Sequence, residues 1–117
     1  MTLEDVQKIC KKFPGVTEDI KWENHLCFNV GEKIFIITSP DSVPVTASFK
    51  TTDDDFEMLS NKEGMKPAPY LARYKWIFVD DIKRLSQREW EYYLSQAYEQ
   101  VAKRLPSKVK KRLKIKS

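Results

Sequence analysis

Glycine is scarce: Gly15, Gly31 and Gly64 are the only three in 117 residues, and no two are neighbours. A glycine-rich loop that cradles nucleotide phosphates cannot be assembled from adjacent residues. Soft metal ligands are equally few. Cys10, Cys27 and His25 are all there are, whereas a structural zinc site takes four cysteine or histidine ligands. No metal and no cofactor are expected. No apolar run approaches the roughly 18 residues that a membrane helix needs, and no membrane partner is expected. The leading residues Met1-Thr2-Leu3-Glu4-Asp5 lack the basic and apolar regions of a secretory signal. Thr2 stands where myristoylation requires glycine, and the last residues form no prenylation box. The expected location is the cytosol, where Cys10 and Cys27 remain reduced thiols.

What is present suffices for a core. Hydrophobic residues make up 41% and charged residues 32%, which excludes wholesale disorder. The length is that of one domain. Charge is unevenly spread. Residues 103–117 hold Lys103, Arg104, Lys108, Lys110, Lys111, Arg112, Lys114 and Lys116 and no acid. Without those eight, 13 basic residues face 17 acidic ones, so the net charge of +4 conceals a body at −4. A basic end of this kind binds phosphate or merely keeps the chain in solution.

Periodicity predicts an α+β fold. A first helix is expected over about 2–13, with Thr2 and Asp5 as a capping box and Leu3, Val6, Ile9, Cys10 and Phe13 as its apolar stripe. Pro14-Gly15 ends it, and a polar stretch runs to Glu23. Strands are expected at 25–30, 33–38 and 43–50, forming an antiparallel sheet with one covered face. Pro44 marks an edge or a strand start. A second helix follows at about 53–62, capped by Thr52. Met65 to Tyr74 is read as extended or looping, because Pro67 and Pro69 cannot sit inside a ladder. A strand at 75–80 precedes a long helix at about 87–104. Ser86 and Glu89 make its capping box, Leu85 and Trp90 its staple, and Trp90, Tyr93, Leu94, Ala97, Tyr98 and Val101 its core face. The reading is a single domain over 1–106, followed by a basic tail or short helix over 107–117, and a monomer.

Most chemistry-bearing clusters have simpler explanations. His25, Cys27 and Asn29 share a strand face, but a Cys-His nucleophile needs a lowered thiol pKa and an oxyanion site. Cys27 is read as a small hydrophobe, and no catalytic residue is assigned. Asp53-Asp54-Asp55 complement the start of the second helix, and Asp80-Asp81 form a polar corner. The segment from Lys66 to Trp76 is different. It sets Lys66, Arg73 and Lys75 beside Tyr70, Tyr74 and Trp76. Cations next to flat rings suit phosphate contact with base stacking; the alternative is a hairpin with inward aromatics and solvated cations.

The chain resembles the MmcQ/YjbR family from about Leu3 to Leu113. The resemblance is carried by Phe13-Pro14-Gly15-Val16-Thr17-Glu18, Gly31-Glu32-Lys33-Ile34-Phe35, Pro67-Ala68-Pro69-Tyr70 with Trp76, and Ala97-Tyr98-Glu99-Gln100-Val101 running into Leu105-Pro106. Many members read Asn, Lys, any residue, His, Trp before the late strand; Ala72, Arg73, Tyr74, Lys75 and Trp76 stand here. The resemblance implies a small single-domain bacterial protein with a CyaY-like, secretion-chaperone-like α+β fold. It also implies DNA binding through a double-wing arrangement of hairpins. The expected function is therefore a non-enzymatic module that binds double-stranded DNA with low sequence specificity. Its contacts are expected from Lys66, Tyr70, Arg73, Tyr74 and Lys75 in the loop and Lys108, Lys110, Lys111 and Arg112 in the tail. The alternative is a protein-interaction or chaperone-like module that uses an exposed sheet face or edge.

Overall fold

Two capping boxes begin the helices that frame the core in this computed structural model, which describes residues 1–115. Lys116 and Ser117, the end of the basic segment, lie outside the described residues. Helix α1 runs Leu3–Lys11, with Thr2 and Asp5 each bonding the other's backbone N–H. Helix α3 runs Gln87–Ala102 and is capped in the same way by Ser86 and Glu89. Between them come β1 Val16–Lys21, β2 His25–Val30, β3 Lys33–Ser39, β4 Thr46–Lys50, α2 Asp53–Ser60, β5 Met65–Pro67 and β6 Trp76–Val79. Helix α4, Ser107–Arg112, closes the chain. No helix among the described residues is long and apolar enough to cross a membrane.

The strands form one antiparallel sheet of six in the order β1-β2-β3-β4-β6-β5. Pairing in register fixes which side chains share a face. Phe28, Ile36, Phe49 and Ile77 lie in one row and are fully buried. Helix α3 covers this row. Trp90 meets Phe49 edge-on at 5.3 Å, and Tyr98 meets Phe35 at 5.8 Å. Helix α1 leans on α3 where Phe13 stacks on Tyr98 at 4.9 Å, and α2 is tied to α3 where Tyr92 donates to the Asp55 carboxylate. The opposite row of Cys27, Ile37, Ser48 and Phe78 faces away from these helices. The fold is the expected α+β arrangement of helix, antiparallel sheet with intervening helix, and long C-terminal helix on the sheet.

Two local readings change. The stretch before Glu23 is strand β1, paired in register from Val16↔Val30 to Lys21↔His25. It is an edge strand with four consecutive exposed residues, Thr17 to Ile20, so no alternation marks it. The expected strand at 43–50 begins only at Thr46, past Pro44. Of the tail or short helix expected at the basic end, the structure has the helix, and α4 packs Val109 and Leu113 against the core. Gly31, at φ +54°, is where α4 comes close: a Cβ there would lie 2.9 Å from Leu105 and 3.1 Å from Val109.

Candidate nucleic-acid interface

Strand β5 can end on Pro67 because it is the sheet's outer strand and needs no donor on that side. Beyond it the backbone N–H of Ala68 donates to Trp76 O at 2.9 Å, pinning the mouth of the loop. A single 3₁₀ turn, Ala72–Tyr74, leads to Lys75 in the left-handed region at φ 64°, which turns the chain into β6. Thr51 holds that turn: its N–H and its hydroxyl both donate to Lys75 O, at 2.9 and 2.7 Å.

The loop's cations diverge. Lys66, opposite Phe78 in the register, places its ammonium 5.4 Å from that ring, on the face away from the helices. Lys75 leans the other way, 5.0 Å from the Phe56 ring of α2. Arg73 lies 5.1 Å from the Tyr74 ring, a contact that holds both side chains together. Tyr70 is 99% exposed and touches little. Lys66, Arg73 and Lys75 therefore do not form one cluster.

The convergence is elsewhere. Tyr74 and Trp76 line a groove of about 410 Å³ whose other walls include Lys33, Lys50, Arg104 and Pro106. Lys33 comes from the start of β3, Lys50 from the end of β4, and Arg104 and Pro106 from the α3–α4 junction. Lys50 donates to Tyr74 O and so ties the groove to the loop. Burial, followed by the facing Arg104 charge, pushes the Lys50 ammonium below its ordinary pKa; Asp53 works against this, and Lys103 adds a smaller push downward. Among the described residues the ion pairs are Lys11–Glu18, Lys21–Asp19 and Arg84–Asp80, and none uses a cation of this groove.

Helix α4 extends the positive surface. Lys108, Lys111 and Arg112 are exposed. Lys110 is half-buried and lines a second depression of about 500 Å³ together with Lys103, Lys114 and Glu99. Gln100 borders both depressions. Lys33, Lys50, Arg104, Lys103, Lys110 and Lys114 thus surround the C-terminal turn of α3. Sequence reading missed Lys33 and Lys50, which stand singly among neutral or acidic neighbours; only the fold brings them to Arg104.

Burial pushes the Cys27 thiol up to about 11, opposite to what a nucleophile requires. His25 spends Nδ1 on the Ser39 hydroxyl at 3.1 Å. Among the described residues, no three His, Cys, Asp or Glu side chains gather as a metal site would need.

A six-stranded antiparallel sheet with helices on one face, and a cationic groove where its last helices meet, define a small α+β protein. The YjbR family model matches residues 11–100, and the chain belongs to this family. That match stops short of Arg104 and α4. The crystal structure of Deinococcus radiodurans protein DR2400, with a DUF419 domain, is similar at TM-score 0.86 and 20% identity, covering 98% of this chain and 89% of that one. A Pseudomonas syringae protein is similar at TM-score 0.68 and 17% identity, covering 86% of this chain and 98% of that one. At such identities the likeness concerns the fold. No curated protein matches the chain significantly.

Proposed function

We propose that the chain is a non-enzymatic, cytosolic module that binds DNA through its phosphates with little sequence specificity. The observation that carries this reading is the gathering of Lys33, Lys50 and Arg104 in one groove, outside the ion pairs of the described residues. Unneutralised cations held together in a concave site favour an anionic ligand. A polyanion is favoured over a single anion because Lys103, Lys108, Lys110, Lys111 and Arg112 continue the positive surface along α4. From the loop, Tyr74 lines the same groove with Arg73 beside its ring, and this pair supplies a further contact. Each cation that meets a phosphate releases counterions, so affinity must fall with salt. Phosphate contacts fix position and carry no sequence information.

The test is fluorescence anisotropy with random-sequence duplex DNA at two salt concentrations. Binding that weakens steeply with salt supports the reading. No binding at about 50 mM salt, where phosphate contacts count most, overturns it in favour of a protein partner on the sheet face that carries Ile37 and Phe78.

A further inference from the structure

We propose that the groove between Tyr74 and the α3–α4 junction binds one unpaired nucleotide of a DNA strand, with its phosphate on Lys33, Lys50 and Arg104 and its base against Tyr74. The inference rests on the DNA-binding reading and narrows it to single-stranded segments.

Three features of the groove point there. The first is shape. About 410 Å³ lies within the range of small-molecule pockets. A paired base inside a duplex cannot enter such a recess without leaving its stack. The second is the pairing of chemistries. Three cations share the recess with two aromatic side chains, Tyr74 and Trp76. Phosphate contact alone needs no ring, whereas stacking needs a base freed from its partner. The third is preorganisation. Tyr74 is 52% exposed, yet its backbone carbonyl is held by Lys50 and its ring by Arg73. A ring on a held backbone has less freedom to lose when a base stacks on it.

The same chemistry suits a nucleoside phosphate free in solution, and the experiment separates the two sources. Labelled oligothymidylate and a duplex of equal length are titrated at one salt concentration against wild type, Tyr74→Ala and Tyr74→Phe. Wild type is expected to prefer the single strand. Tyr74→Ala should lower the single-strand to duplex affinity ratio by about 5- to 150-fold, the worth of one stacked base, while Tyr74→Phe keeps it. Free thymidine 5′-monophosphate at a concentration equal to the strand's should displace nothing.

Equal or tighter binding of duplex by wild type, or a ratio unchanged in Tyr74→Ala, overturns the inference and leaves the DNA-binding reading standing. Displacement by the free nucleotide reassigns the groove and overturns the strand. Failure to bind either DNA removes both readings.

Discussion

Replacing Trp90 tests how the sheet is held against α3. Its side chain has no solvent exposure, its ring meets Phe49 at 5.3 Å, and its Nε1–H donates to Ile82 O at 2.7 Å inside the core. Two variants separate these roles. Trp90→Ala removes the ring and should cost about 3–5 kcal/mol. Trp90→Phe keeps a ring but leaves the Ile82 carbonyl buried and unpaired, which should cost about 1–3 kcal/mol. Domains of this size hold only about 5–15 kcal/mol in total. At about 4 °C per kcal/mol for this length, Trp90→Phe should melt about 4–12 °C below wild type. Urea unfolding followed by circular dichroism measures both variants. A Trp90→Ala midpoint equal to wild type would show that α3 does not pack by this face. A Trp90→Phe midpoint equal to wild type would remove the Ile82 hydrogen bond from the account.

Gly31→Ala should destabilise by about 1–2 kcal/mol through its left-handed backbone alone and by more through contact with Leu105 and Val109, read as a lower urea midpoint. Both cysteines are buried and their thiols are pushed up by that burial; a thiol reagent should find neither in the native protein and both in denaturant, and rapid native labelling would refute this. Because folded Cys27 keeps its proton to about 11 while its ordinary value is 9.0, the unfolded chain ionises first. Stability should therefore fall as pH rises from 9 towards 11, and a flat profile there would contradict it. Elemental analysis should find no stoichiometric zinc or iron, and one tightly held ion per chain would overturn that expectation.

The elements that announce themselves in the sequence are those with local signals. Thr2 with Asp5 and Ser86 with Glu89 mark helix starts because the capping bond is made within three residues. The stripe from Trp90 to Val101 is legible because a helix face repeats in sequence. Strand β1 escapes because an exposed edge strand needs no buried side chain, and its six residues Val-Thr-Glu-Asp-Ile-Lys alternate in nothing. Helix α4 is half legible: its lysines are plain, but Val109 and Leu113 acquire meaning only once Gly31 and Gly15 lie beneath them. The candidate site is the least legible part. Lys66, Arg73 and Lys75 are neighbours in the chain and part in space, since a strand and a left-handed turn send them to different faces. Lys33, Lys50 and Arg104 are far apart in the chain and meet in one groove.

A charge-matched salt titration shows whether these three cations hold the DNA as a group. Lys33, Lys50 and Arg104 are changed together to Gln, and Lys8, Lys12 and Lys62, exposed elsewhere, are changed together to Gln as the control. Both variants lose the same net charge, and circular dichroism checks that both fold. The slope of log affinity against log salt for duplex DNA changes by about 0.9 per phosphate contact. The groove variant should lose up to about 2.7 of that slope, while the control keeps it. Equal losses in the two variants would mean that net charge, not the groove, attracts the DNA.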